Sequence, residues 1–505
     1  MNRHAFYASG WRLRALAASL RVGPAAPLRR WLTARALAPL SRPSMFPRAG
    51  ESSEGALRTA RDLTDAYRSG RATPRDVVER ALDAADALDR YMPPLRAFVH
   101  LDARDVRIQA DASTRRWREE RPLGPLDGVP IAIKDEIDVA GQPTTCGTAF
   151  LGRSPACADA LAVARLRSAG AIIFGKTHMV EFGMGPSGIN VHHGTARNPH
   201  DPERDSGGSS SGSAVAVAAG VVPIALGTDS GGSLRVPGAL CGVAAFKGSF
   251  DRVPLQGVAT LFPSMAHVGP LGASVADLAT TFAILTHEPS CELTSVPTPL
   301  RIGMSALRWS ETRADVVLAT RAALDGLFTR GATEVPVDLP DPDLVMALGL
   351  VVLGGEAMTF APRCALAPAT TVTLDLARGI TPSQRTLAHR TRARLTAELE
   401  KALEHVDVII QPTTAITAPR YRRDALATGM IDEALTRELT ATTLPACLAG
   451  LPAVQIPCGR GADGMPVGLH VVGGRDRDAL VLRVAAEIER HAPTCRAAIW
   501  SDLLG

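Results

Sequence analysis

Hydrophobic positions in this chain follow two periods, and their alternation lays out the elements. From Glu51 to Leu101 they recur at helical spacing, first Leu57, Leu63, Ala66 and Tyr67, then Val77, Val78, Ala81, Leu82, Ala85 and Leu88, with Ser69-Gly70 between the groups. The spacing predicts a helical hairpin whose second helix is capped by Thr73 and opened by Pro74. Such an arm docks on the body or on a second subunit, so a homodimer is among the expectations. Between Pro122 and Val139 a glycine-proline turn leads into a short strand, Val129 to Lys134, whose alternation puts Ile131 and Ile133 on one face and Ala132 and Lys134 on the other. Ala158 to Ser168 predicts a helix closed by Gly170, followed by the strand Ala171 to Phe174.

Beyond residue 270 the pattern predicts helices over Val275–Ile284, capped by Ser274, and over Asp315–Arg330, then a strand over Ala332–Val337. The run Leu344–Gly355 is too short to span a bilayer and predicts a buried or channel-lining helix. Pro382–His405 predicts a long amphipathic helix, Val406–Gln411 a strand closing on Pro412, Leu451–Pro457 and Val467–Val472 a pair of strands, and Asp478–Arg490 a closing helix. Strands alternating with helices from residue 122 to residue 490, without linker or repeat, predict a single α/β domain.

One stretch breaks the pattern. Asp205 to Arg235 carries two serine-glycine clusters on either side of Ala214–Leu226, which is almost continuously apolar. A flexible linker would be polar throughout. Two serine turns pinned at the ends of a buried element predict a built site.

Composition adds bounds. With 505 residues, 46% of them hydrophobic, the chain can bury a large core, and no apolar run reaches 18 residues without Gly or Pro. Its eight cysteines, at 146, 157, 241, 291, 364, 447, 458 and 495, form no C-x-x-C pair, and predict buried thiols in a reducing compartment rather than a disulfide framework or a zinc site. The formal charge of +4 arises from residues 1–50, which hold nine Arg and no acid; without them 46 basic side chains face 51 acidic ones. A body so balanced gives no reason to expect nucleic acid. Residues 1–50 themselves fit an organelle transit peptide, an amphipathic segment in peripheral contact with a membrane surface, or an untranslated leader ahead of a start at Met45. In none of these does the segment join the fold. The location expected is cytoplasmic, or a mitochondrial or other organelle matrix if the segment is a transit peptide.

Two motifs fail on mechanism. G-A-I-I-F-G-K-T, residues 170–177, matches the phosphate-binding pattern letter for letter. Its middle residues are themselves the predicted strand, with N–H groups committed to a ladder instead of free to cradle phosphates. The pair His192-His193 lies on a glycine-rich loop, has no Asp, Glu or Cys at ligand spacing, and reads as packing.

The serine turns carry the chemistry. A serine attacks only when a base takes its proton and donors await the oxyanion. Gly231-Gly232-Ser233 supplies donors, because two residues without Cβ let consecutive N–H groups converge; Asp229 before it fixes the turn and Arg235 after it pairs with Asp229. Two bases compete. Gly208-Ser209-Ser210-Ser211-Gly212 satisfies the nucleophile elbow G-x-S-x-G with Ser210 at its centre, yet a turn sequence precedes it where a strand is required. The alternative is a lysine. Lys134 ends an apolar strand, where it is either a snorkelling surface residue or a buried base acting through Ser209 on Ser233.

Residues 75–490 resemble the amidase signature enzymes. The resemblance rests on G-P-L-D-G-V-P-I-A-I-K-D (124–135), G-G-S-S-S-G-S-A (207–214), G-T-D-S-G-G-S-L-R-V-P (227–237) and the late A-G-L-P-A-V-Q-I-P-C-G and D-G-M-P-V-G-L-H segments. It implies a mixed β-sheet covered by helices on both faces, with residues 102–505 as catalytic domain, 51–101 as helical arm and 1–50 as leader. It implies a Ser-cisSer-Lys triad: Ser233 as nucleophile, Ser209 as relay in a cis peptide after Gly208, and Lys134 as base. Ser230, Gly231, Gly232 and Ser233 would supply the oxyanion N–H groups, and Gly183-Met184 would line the acyl site. No metal or organic cofactor is implied.

Within the family, residues 188–204 with 207–214 are most similar to plant-type fatty-acid amide hydrolases, which implies a small-molecule amide substrate such as a fatty-acid amide or N-acyl amine. Phe246–Arg252, F-K-G-S-F-D-R, departs from that family's usual L-K-P-T-x-G-R. The rival is the glutamine-hydrolysing component of an aminoacyl-tRNA amidotransferase, which works with a partner subunit. That branch carries a tyrosine-rich stretch where Asp375–Leu387 has no aromatic residue.

Overall fold

The computed structural model describes residues 56–294, 296–360 and 365–505, so the expected leader over 1–50, the first residues of the arm and Cys364 lie outside the described residues. One sheet of eleven strands runs through the molecule. The strands are β1 (Phe98–His100), β2 (Pro130–Lys134), β3 (Ile172–Thr177), β4 (Ile224–Asp229), β5 (Ala244–Lys247), β6 (His267–Gly272), β7 (Arg301–Met304), β8 (Thr333–Pro336), β9 (Val408–Pro412), β10 (Ala453–Arg460) and β11 (Pro466–Gly473). Their spatial order is β1-β3-β2-β4-β6-β5-β10-β11-β9-β7-β8. The sheet is mixed. Parallel pairs β2/β3 and β2/β4 on one side and β7/β9 and β7/β8 on the other flank a run of antiparallel pairs from β4/β6 to β11/β9. Every residue of β2, β3, β4 and β6 is buried, as happens only when both faces of a sheet are covered.

The predicted hairpin forms helices α1 (Ala60–Arg68) and α2 (Pro74–Arg90), each opened by a capping box, Thr59 with Asp62 and Thr73 with Asp76. Their apolar stripes, Leu63, Val77, Val78 and Leu88, share one core cluster with Ile131 of β2 and Leu226 of β4. The arm is therefore part of the body. Residues 98–100, assigned to the arm by the boundary at 101, pair with β3 instead.

The apolar run Ala214–Leu226 is not one element. It folds as helix α3 (Ser211–Ala218) and then β4, every residue of both being buried. Helix α4 (Arg235–Cys241) follows the second serine turn, and α5 (Val275–Thr286) is capped by Ser274 as predicted. At the N-terminus of α5 the buried Asp277 accepts a hydrogen bond from the Ala60 N–H at 3.0 Å, tying the arm to the body. Burial pushes this carboxyl up to about 7.

The run expected over Leu344–Gly355 extends to α6 (Pro342–Phe360). An 18-residue stretch of it, Pro342–Thr359, is long and apolar enough to cross a membrane, and 44% of that stretch is buried. Val345, Leu348 and Val352 pack with Leu395 and Leu399 of the next long helix, which spans the predicted Pro382–His405, and with Leu444. This packing carries the helix through Gly354 and Gly355 despite their low helix propensity. Three further departures are local. The helix expected from Ala158 starts at Leu161, without a side-chain cap, and Cys157 is exposed and Cys291 half-buried where buried thiols were expected. Cysteines 146, 241, 447, 458 and 495 are buried and free.

Candidate active site

Because β2, β3 and β4 run parallel, their carboxyl ends, Lys134, Thr177 and Thr228-Asp229, meet at one edge of the sheet, the place where open α/β sheets present their sites. Lys134 does not snorkel: its side chain is 0% exposed. Its Nζ donates to Ser209 Oγ at 2.8 Å and to Thr228 Oγ1 at 2.7 Å, and lies 3.0 Å from Glu136 Oε1. The Thr228 hydroxyl donates in turn to Glu136 Oε1.

Ser209 follows a cis peptide bond from Gly208. Position 208 admits no side chain, since a Cβ there would fall 2.2 Å from the Ser187 carbonyl oxygen. The next residue, Ser210, is buried and spends its hydroxyl on the backbone of Thr228, donating to O at 3.2 Å and accepting from N at 3.3 Å. That commitment, with no strand before it, leaves the elbow reading of Ser210 without a free hydroxyl.

The second turn is held from below by Asp229. Its carboxylate accepts from Gly232 N at 2.6 Å and Leu234 N at 3.2 Å, and meets Arg235 through Nε at 2.9 Å and Nη2 at 3.0 Å. Both side chains are fully buried. Burial alone would push Asp229 up, but the Arg235 guanidinium and the Cys447 thiol beside it hold the carboxyl well below the usual range. Arg235 reaches on to Thr443 O and His470 Nε2, both at 2.9 Å, and Thr443 Oγ1 donates to Gly231 O at 2.8 Å. Burial, then the Arg235 charge, push His470 far below its ordinary value, so it stays neutral and accepts from the guanidinium. The expected Asp229–Arg235 support is thus present, with one consequence for the expected donors: the Gly232 N–H is already spent on Asp229. Among the described residues the N–H groups of Ser230, Gly231 and Ser233 donate to no protein group.

The two turns touch through the backbone, Ser210 N donating to Ser233 O at 3.2 Å. Ser233 is half-buried whereas Ser209 is 1% exposed and Lys134 is 0% exposed, so of the three expected residues it is the one with solvent access. Among the described residues its hydroxyl makes no hydrogen bond to Ser209, whose Oγ accepts from Lys134 Nζ.

The loop expected to line the acyl site stands beside Ser209. Glu181–Gly183 forms a short 3-10 turn with Phe182 at φ 52 and Gly183 at φ +70, and a Cβ on Gly183 would stand 3.3 Å from Ser209 Oγ. Glu181 anchors it, meeting His192 Nε2 at 2.7 Å and accepting from Ala367 N at 3.0 Å, while His193 Nε2 pairs with Thr148 O at 3.0 Å. His192 therefore braces the loop, and His193 packs against the turn at Thr148. Phe182 and Met184 open onto an apolar cluster with Cys146, Leu261, Phe262, Ala357 and Leu374. The phosphate-loop motif ends inside β3, and Lys176 Nζ is spent on Pro143 O at 2.9 Å and Thr144 Oγ1 at 3.0 Å.

The Amidase family matches residues 76–482, spanning both serine turns and the lysine. The chain belongs to the amidase signature family. As an amidase it cleaves the C–N bond of amides. It is 34% identical to a fatty acid amide hydrolase of Arabidopsis thaliana over 88% of this chain and 78% of the plant protein. It is 32% identical to the A-type subunit of a glutamyl-tRNA(Gln) amidotransferase from a Synechococcus strain, over 85% of this chain and 96% of the cyanobacterial one. Among solved structures, a crystal structure of an amidase aligns with a TM-score of 0.78 at 33% identity, covering 86% of this amidase and all of the other. The residues that sequence reasoning passed over are Glu136, Thr228, Thr443, Cys447 and His470. Glu136 stood two places beyond Lys134, a spacing that returns to the same side of an extended chain, and that signal was available. The other four reach the site only through tertiary contacts.

Proposed function

We propose that this amidase forms an acyl-enzyme on Ser233, with Ser209 as relay and Lys134 as base, on amides of apolar acids, fatty-acid amides or N-acyl amines among them. Lys134 takes the proton of Ser209, Ser209 takes that of Ser233, and Ser233 Oγ bonds to the carbonyl carbon. The N–H groups of Ser230, Gly231 and Ser233 receive the oxyanion. Return of the proton through Ser209 to the amide nitrogen releases ammonia or an amine, and water repeats the sequence to free the acid.

The observation that carries the reading is the buried 2.8 Å contact from Lys134 Nζ to Ser209 Oγ, made directly beside the half-exposed Ser233 turn. The apolar acyl partner is supported by the cluster beyond Phe182 and Met184, which offers the carbonyl's substituent aromatic and aliphatic walls. The second reading, the glutamine-hydrolysing component of an amidotransferase, is supported by the cyanobacterial relative. One assay separates them: amine or ammonia release by the purified chain over short aliphatic, aromatic and long-chain acyl amides, with glutamine included. Turnover of apolar amides by the chain alone is expected. Glutamine turnover that requires an added partner protein would replace the first reading with the second.

A further inference from the structure

The lysine end of the site holds a carboxylate that the Ser-Ser-Lys reading does not use. Glu136 follows Lys134 by two residues in the turn after β2 and is 4% exposed. Its backbone carbonyl accepts from Ala259 N at 2.8 Å, which fixes the turn against the segment at residue 259. Its Oε1 lies 3.0 Å from Lys134 Nζ and accepts from the Thr228 hydroxyl. On the other side Oε2 faces the acyl loop, where a Cβ on Gly183 would come within 3.7 Å of it. The neighbouring Asp135 is turned away, accepting from the N–H groups of Thr145 and Gly147 at 3.2 Å each and lying 3.7 Å from Lys176 Nζ. Cys146, whose thiol is pushed up by burial and by the Glu136 charge, is the other titratable group on this side.

We propose that Glu136 is a positioning residue for the lysine base: together with Thr228 it holds Lys134 Nζ from one side and keeps it against Ser209. The inference rests on the Ser-Ser-Lys reading above. A threonine hydroxyl has one proton, and here Thr228 gives it to Glu136, so its oxygen faces Lys134 only as an acceptor. Thr228 Oγ1 and Glu136 Oε1 are hydrogen-bonded to each other, so both stand on one side of Lys134 Nζ, at 2.7 and 3.0 Å, with Ser209 Oγ at 2.8 Å as the remaining partner. Held from that side, the lysine head group keeps its place against Ser209 in both directions of the proton transfer, and the carboxylate offsets the positive charge that appears where no water can reach it. Without Glu136 the Thr228 hydroxyl loses its acceptor, and Lys134 loses one of the two oxygens that hold it against Ser209.

The test compares Glu136→Gln, which keeps an acceptor oxygen but loses the charge, with Glu136→Leu, which loses both, beside Lys134→Met and Ser209→Ala. The readouts are kcat and KM on an acyl p-nitroanilide, the rate of active-site labelling by a fluorophosphonate, and thermal unfolding. General acid–base positioning of this kind carries about 10²- to 10⁴-fold in rate. A fall of about 10-fold in kcat is therefore expected for Glu136→Gln and of about 100-fold or more for Glu136→Leu, with KM within about two-fold and labelling slowed in parallel. A folded Gln or Leu variant with kcat within about two-fold of the parent overturns the inference. If Leu does not fold, the Gln variant decides alone. Retained kcat in Lys134→Met and Ser209→Ala would instead remove the triad reading beneath it, whereas loss in those two with normal Glu136 variants removes only this inference.

Discussion

Replacing Arg235 by Met tests how the Gly231-Gly232-Ser233 turn is held. The guanidinium and the Asp229 carboxylate meet through contacts of 2.9 and 3.0 Å with both side chains out of solvent. At charge centres about 4 Å apart and an effective dielectric near 20, their attraction is about 4 kcal/mol. Removing one partner leaves the other buried and unpaired, and such breaks cost about 3–5 kcal/mol. Asp229 would keep only the Gly232 and Leu234 N–H groups and the Cys447 thiol at 3.0 Å. Arg235→Met is therefore expected to lose about 3–5 kcal/mol near neutral pH, while the double variant Asp229→Asn/Arg235→Met, which leaves no charge behind, loses less than the single one.

The pH dependence has a defined sign. In the parent the depressed Asp229 carboxyl contributes stability above the unfolded carboxylate range and loses it only as pH falls through its low folded value. In Arg235→Met burial is left dominant and the carboxyl moves up, so its charged form is a liability that protonation relieves. The deficit of the variant against the parent should therefore shrink from about pH 7 to about pH 5. Denaturant and thermal unfolding at both values, with fluorophosphonate labelling rates alongside, make the measurement. A deficit under about 1 kcal/mol, a deficit unchanged with pH, or a double variant worse than the single would refute the unpaired-charge account.

Other expectations are more local. Ser209→Ala should unfold within a few degrees of the parent yet lose about 10²-fold or more in kcat, and near-normal turnover would remove Ser209 as relay. Gly208→Ala must displace the Ser187 carbonyl, 2.2 Å from the new Cβ, so it should yield little folded protein; normal expression and melting would show that the turn relaxes easily. Asp277, raised to about 7 against an unfolded value of 3.8, contributes stability fully below the unfolded value and loses it as pH rises through the folded one. Asp277→Asn should thus melt progressively higher relative to the parent as pH rises from about 5 to about 8, and a constant difference would count against a buried titrating carboxyl.

Long periodic segments were legible in the chain itself. Pro382–His405 was predicted to the residue; the structure opens it with a Thr381–Gln384 capping box and ends it at Val406 as C-cap. The hairpin and the two closing strands were legible for the same reason, strong period and clear punctuation. Ala214–Leu226 was not, because an all-apolar run carries no period, and the break between α3 and β4 comes from tertiary packing. Strands such as β5 and β6 escaped because a few buried residues between turns look alike in any state. At the site, Lys134, Ser209 and Ser233 could be named from motif and resemblance, and the chemistry of a nest could be argued for Gly231-Gly232. What could not be seen is which N–H groups are already spent: Gly232 on Asp229 is a fact of three dimensions. The same holds for Thr443 and His470, which lie more than 200 positions from the Arg235 they touch.

The most direct test is to trap the acyl-enzyme. The purified chain, mixed with a long-chain acyl p-nitroanilide and quenched in acid, should yield a peptide carrying the acyl mass on Ser233, and Ser233→Ala should carry none. Acylation mapped to Ser210 or any other residue, or an adduct that persists unchanged in Ser233→Ala, would contradict the assignment of nucleophile and with it the relay through Ser209 to Lys134.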